Sequence, residues 1–546
     1  MTPSHALNRL EALRLEFAPA AAEAKLEALR VLSHARLGTA RDVLRLHEAL
    51  CFARAYPDNE RILRGVRVML DAFGKRPDLR RHAVALADSG ITGTSIHYRF
   101  FWSTARWLAR RHPGLLALDW SDGEFEDRLS AAFSLLLPQV EAEAVKRRAL
   151  PVRRAILRLK ARHETDAAYF IRRIEAIPGG DRVREGTHDA IDVAYELAPS
   201  PGGPSRTHAE LPGAPSALRT TAPPRGHPDL TRALRTPPRS VRAVSLGEGR
   251  RIVDLAREAM VTRARDLDAF AHGDARDVRL IDDGDGLAFA LIGVTPERRL
   301  FLPAVYGALT LRNRIPIGYV QIDALFGNAE MSYNTFPTFR AGEAGFVFGR
   351  LLAATHHVFG VSSFSVEPYQ LGHGNVEGLD SGAWWFYALC GFRPRETAVA
   401  RLAASELARR RRDPRYRSSR ATLERLATAH LHWPARAPRG TAVTPIDRIG
   451  LAIASRGQRA DARESAMKKL GLASLRGWSR DERIWWERWA PMLDALPGIE
   501  RWPASDRAAA LRVVRAKAAR RETDFVKRFE EHPRLGRAIF DLAGRL

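Results

Sequence analysis

The chain is poor in cysteine, in lysine and in long apolar runs. Only two cysteines, Cys51 and Cys390, occur in 546 residues. That excludes a disulfide scaffold and points to a reducing compartment. No stretch approaches the roughly 18 consecutive apolar residues of a membrane span. The opening MTPSHALNRLEALRLEF lacks the basic flank and continuous apolar centre of a signal peptide. These absences predict a soluble cytoplasmic protein with no membrane partner. Lysine supplies only eight of the 87 basic side chains, so the basicity is almost wholly arginine.

With 45% hydrophobic and 27% charged residues, most of the chain is expected to fold. Its length exceeds one core and implies roughly two to four domains. The net charge of +24 invites a nucleic-acid or acidic partner. Its distribution argues against that as the central activity. Residues 241–400 hold 16 arginines against 18 carboxylates, whereas 401–546 hold 33 basic against 17 acidic side chains. The charge lies in the flanks.

Composition and periodicity divide the chain into four. Residues 1–196 show apolar positions at helical spacing, as in Leu7, Leu10, Leu13 and Phe17. Residues 197–240 are dominated by Pro, Gly, Ser and Thr and read as an extended, disordered linker. Residues 241–400 alternate strand and helix patterns, with a hairpin signal at Asp282-Asp283-Gly284-Asp285-Gly286. Residues 401–546 return to a basic helical pattern. The expected fold is thus a multidomain one, a central α/β (α+β) domain with a mixed sheet between all-α flanks. The run ARRRRDPRYRSSR (408–420) reads as a solvated connector, and Trp485, Trp486 and Trp489 read as core.

Candidate chemistry concentrates in the central part. On the strand AEMSYNTF, alternation places Glu330, Ser332 and Asn334 on one face, so Glu330 is a candidate general base. Glu367, before Pro368, is its rival. The loop YQLGHGNVEGLDSG (369–382) gathers His373, Asp380 and Ser381 among glycines and is a candidate substrate wall. Its dispersed ligand types do not read as a metal site. Cys390 lacks a nearby histidine in sequence and reads as a buried thiol.

The central segment resembles the GNAT acyltransferase superfamily over roughly 150 residues. The resemblance rests on the strand pair IGYVQI…AEMSYNTFPTFR (317–340) leading into a turn and helix, and on Ala383 and Tyr387 followed by Gly391-Phe392. It implies an acyl-CoA-dependent N-acyltransferase, most simply one moving acetyl from acetyl-CoA to an amine on a small molecule or a protein. Tyr387 would protonate the leaving sulfur. Arg340, Gly342 and Gly345 would hold the pyrophosphate, with Asn375 standing in for an asparagine the family carries where Asp380 lies. The sequence departs from the family pattern at Glu343, which occupies a glycine position of the phosphate loop. A carboxylate there repels pyrophosphate, so the alternative is a non-catalytic GNAT-like scaffold whose basic flanks engage an acidic partner or nucleic acid. An open cleft between 329–335 and 362–367 would favour catalysis, and a closed one the scaffold. No feature indicates an oligomeric state.

Overall fold

The structure, a computed structural model, describes residues 1–213, 217–224, 226–340, 343–438, 441–455 and 461–544. Two compact units are present. The first comprises Met1–Pro223, Arg250–His272 and Leu311–Ile317, and the second Pro224–Gly249, Gly273–Thr310 and Gly318–Leu546. Among the described residues, no helix is long and apolar enough to cross a membrane.

The first unit is mostly helical, with one departure from the all-α expectation. Strands β1 (Ile96–Tyr98), β2 (Leu116–Leu118) and β3 (Tyr195–Leu197) form a small antiparallel sheet in the order β1-β3-β2. Three-residue strands are too short for alternation to show in sequence. The turn before β1 holds Asp88, Gly90 and Gly93 at positive φ, and the next helix starts only at Trp102. The core of this unit falls into two clusters, one around Leu46, Leu50 and Val66 and one around Trp102, Phe125 and Tyr195.

The second unit is built on a nine-stranded mixed sheet. Its strands are β4 (Ser240–Ala243), β5 (Gly273–Gly284), β6 (Leu287–Val294), β7 (Ala304–Arg312), β8 (Ile315–Leu325), β9 (Asn328–Thr335), β10 (Ser363–Val366), β11 (Arg393–Pro394) and β12 (Leu431–Trp433). Their order is β11-β12-β10-β9-β8-β7-β6-β5-β4. Two-residue turns at positive φ close the tight hairpins: Asp285-Gly286 joins β5 to β6 and Phe326-Gly327 joins β8 to β9. β9 and β10 are parallel, so a crossover must link them. That crossover is the central helix Ala344–Phe359, which ends at Gly360 in the left-handed region.

The region after residue 400 is not a separate helical body. β12 inserts between β10 and β11, and Trp485, Trp486 and Trp489 are buried in the same core as the central helix. Their indoles are anchored, Trp485 Nε1 donating to the Pro296 carbonyl at 3.0 Å and Trp489 Nε1 to Phe301 at 3.0 Å. The stretch expected to be a disordered linker is likewise partly ordered. Leu230–Arg235 is a helix capped by Asp229, and Leu230 is buried in the core. Arg350 of the central helix grips Asp283 through two nitrogens and donates to the carbonyls of Ala233 and Thr236. Proline and glycine here serve close packing: a Cβ on Gly349 would lie 2.7 Å from Pro228.

Candidate functional site

The parallel pair β9/β10 is registered only from Asn328↔Ser363 to Glu330↔Ser365. β9 then runs on to Thr335, paired only with β8 as far as Gly318↔Thr335. From Met331 onward, among the described residues, its other edge has no strand beside it. Such a parting of parallel strands, at their carboxyl ends, is where α/β sheets place ligands.

One face of the sheet at this point is polar. Register sets Asp323, Glu330, Ser365 and His432 opposite one another across β8, β9, β10 and β12. Opposed residues share a face. Glu330 Oε2 lies 3.2 Å from His430 Nε2 and 3.5 Å from the Ser365 hydroxyl, which itself accepts from Asn328 Nδ2 at 2.9 Å. The Glu330 hydrogen bond raises the pKa of His430 above 6.5 against the opposing effect of burial. His432 stacks on His430 with centroids 6.0 Å apart. Burial, then Arg395 and His430, push His432 down to about 4, so it is neutral, and its Nδ1 has no hydrogen-bond partner among the described residues. Burial and then Glu330 push Asp323 up to about 8 and Glu367 above its usual range. Ser332 and Asn334 follow on the same face, opposite Gln321 and Tyr319.

Tyr387 lies on the free edge of β9. It sits in the short helix Ala383–Leu389 (the tyrosine helix), is 2% exposed, and donates its hydroxyl to the Tyr333 carbonyl at 3.4 Å. Burial raises its pKa well above the phenol value, so it is protonated at neutral pH. Trp384 and Trp385 beside it are buried and packed edge to face. Arg340 also caps this edge, its Nε donating to the Thr335 carbonyl at 3.0 Å, while its Nη2 meets Glu377 at 3.3 Å.

The remaining sequence candidates have local partners. Asn375 caps the helix Val376–Asp380 and donates to the Tyr369 carbonyl. Ser381 back-bonds to Gly378. Asp380 pairs with Arg420 at 3.0 Å on the surface. His373 is exposed at the turn between two short helices. Gly342 lies outside the described residues. Glu343, the N-cap residue of the central helix, is 2% exposed and makes no side-chain capping bond. Gly345 follows it in the first turn, and a Cβ there would overlap the carbonyl oxygen of Gly226. The segment Gly226–Pro228 therefore lies against the very turn that the resemblance assigns to pyrophosphate. Cys390 has a histidine nearby after all, His227 Nδ1 at 3.9 Å, but burial pushes the thiol up to about 12. It is not a thiolate nucleophile.

Sequence reading missed His430, His432 and Asp323. The stretch His430-Leu431-His432-Trp433 carries a usable signal, since alternation puts both imidazoles on one face of a strand. No family model, no curated protein and no solved structure matches the chain.

Proposed function

We propose that the second unit is an acyl-CoA-dependent N-acyltransferase of GNAT-like fold, acting on an amine. One observation carries the reading: β9 parts from β10 beside Glu330, with the Glu330–His430 pair on the polar face and the Tyr387 hydroxyl on the strand's open edge. A thioester lying along that edge would have a proton acceptor on one side and a proton donor on the other.

The roles follow from the chemistry. An ammonium acceptor must lose a proton before attack, and Glu330 with His430 takes it, directly or through water, once His430 is neutral. The amine nitrogen then bonds to the acyl carbon, and the carbon–sulfur bond breaks. Tyr387 donates to the departing sulfur. Its raised pKa makes it a weak acid, which favours hydrogen-bond stabilisation of the thiolate over complete proton transfer. The acyl donor's amides suit an unpaired strand edge, which offers backbone groups as partners. The carboxyl groups of Asp323, Glu330 and Glu367 supply hydrogen-bond acceptors for an amine.

A second reading is favoured by a different observation. Glu343 is buried at the start of the central helix, and Gly226 packs on Gly345. With the helix start covered in this way, the unit serves as a non-catalytic scaffold. Calorimetry of the full chain with acetyl-CoA and longer acyl-CoAs separates the two. Saturable binding, with thiol release when a panel of amines is added, supports the enzyme. Absence of heat with every acyl-CoA at millimolar concentration leaves the scaffold.

A further inference from the structure

We propose that a second site, in the groove between the tyrosine helix, β11 and the helix Thr397–Arg412, binds a small amphipathic anion: an apolar body bearing a carboxylate or phosphate group. The groove has a volume of about 610 Å³, within the range of small-molecule sites. Leu389, Pro394 and Leu407 supply apolar wall, and Arg393, Arg410 and Arg411 supply charge. The inference does not rest on the acyl-transfer reading.

The argument is one of uncompensated charge. Arg393 donates from Nη1 to the carbonyls of Ala388 at 2.6 Å and Phe392 at 2.7 Å. Arg410 donates to the Tyr416 carbonyl at 3.1 Å and lies 5.1 Å over the Trp385 ring. Arg411 donates from Nε to the Leu407 carbonyl at 3.4 Å. All these hydrogen-bond acceptors are backbone carbonyls. Among the described residues, none of the three guanidiniums pairs with a carboxylate. The acidic side chains flanking Arg410 and Arg411 in sequence are engaged elsewhere: Glu406 holds Arg409, Tyr416 and Ser418, and Asp413 accepts from the Arg415 amide. Burial, reinforced by Arg411, lowers the pKa of Arg393.

Helix electrostatics account for part of this arrangement, because cations are favoured at a helix C-terminus. That covers Arg409 to Arg412, the last turn of Thr397–Arg412. It does not cover Arg393, which comes from β11, nor the apolar wall between them. Guanidiniums converging from two elements on an apolar groove match an oxyanion with a hydrophobic tail. The run 408–420, which reads as a connector in sequence, contributes two of the three.

Titration calorimetry on the full chain with decanoate, decyl phosphate, decylamine and inorganic phosphate tests this. Decanoate and decyl phosphate are expected to saturate one site, and the tighter of the two identifies the head group. Decylamine and inorganic phosphate are expected to bind at least about tenfold more weakly. The double substitution Arg393→Met, Arg411→Met is expected to weaken both anions by about tenfold or more. Ala404→Trp, an exposed position on the groove wall, fills the groove without touching charge and is expected to abolish binding. It carries the test if the arginine variant does not fold. Equal binding of decylamine, unchanged binding in the folded variants, or inorganic phosphate binding as tightly as decyl phosphate would each overturn the proposal.

Discussion

Gly226 and Gly345 lie in such close contact that the carbonyl oxygen of the first occupies the space a Cβ on the second would need. Gly345→Ala must therefore push the segment Gly226–Pro228 away from the central helix or strain the helix start. The expected cost in stability is about 1–3 kcal/mol, by overpacking. If the helix start also receives the acyl donor, lifting the segment exposes it, and acyl-CoA affinity rises while stability falls. Denaturant unfolding paired with calorimetry reads both. A loss of stability with no gain in affinity assigns the contact to packing alone.

Tyr387→Phe removes the hydroxyl that donates to the Tyr333 carbonyl at 3.4 Å. At that length the bond is weak, and the stability loss should not exceed about 1 kcal/mol. The ring's packing against Phe348 and Phe392 is kept. Under the proposed acyl transfer, turnover is expected to fall about tenfold or more with KM nearly unchanged, because the hydroxyl would act on the leaving sulfur and not on binding. Full activity in the phenylalanine variant would remove Tyr387 from the mechanism.

Much of the central sheet was legible in sequence, for identifiable reasons. The β5/β6 and β8/β9 hairpins announce themselves through Asp-Gly and Phe-Gly-Asn turns between apolar runs, and the central helix through its length and terminal glycine. The polar face of β9 followed from alternation alone. What sequence did not disclose was partnership at a distance. β12 has three residues and takes its place through hydrogen bonds to β10 and β11, so the alternation of His430 and His432 hints at a strand but not at its partners. His430 reaches Glu330 only because that insertion occurs. The proline-rich stretch misled in the opposite sense: its composition matches disorder, yet Pro228 and Leu230 are packing residues. Asn375, read as a cofactor contact, caps a helix, and Asp380 and Ser381, read with His373 as a substrate wall, pair and back-bond locally.

Glu330 and His430, 3.2 Å apart, would make the proposed acyl transfer depend on pH in a defined direction. Glu330 raises the pKa of His430, so His430 is protonated on the acid side and unable to accept a proton. Activity is expected to rise with pH through a value above 6.5. Glu330→Gln removes the stabilising charge, and the acid limb should move down in pH while the maximum rate falls. The same linkage acts on stability. A histidine raised in the folded state contributes stability that is full below its unfolded value and disappears as pH rises through the folded one. That contribution should vanish in Glu330→Gln. An acid limb that stays in place would separate the pair from catalysis.

Asp323 tests the polar row independently of any activity. Burial first, and the charge of Glu330 second, push its carboxyl up to about 8, whereas an unfolded aspartate titrates near 3.9. Stability from the protonated carboxyl is complete below the unfolded value and is lost as pH rises through the folded one, so the native state is penalised from about pH 4 to pH 8. Asp323→Asn keeps the shape and cannot ionise. The variant is expected to gain on the wild type steadily across that window, by about 5 kcal/mol at pH 8 and by little at pH 4. Because Glu330 supplies part of the shift, the gain should shrink when Asp323→Asn is made in a Glu330→Gln background. Urea unfolding of the four proteins at both pH values measures it. A gain that is equal at pH 4 and pH 8 would show that Asp323 does not titrate in this window and that the row is wetter than its packing indicates.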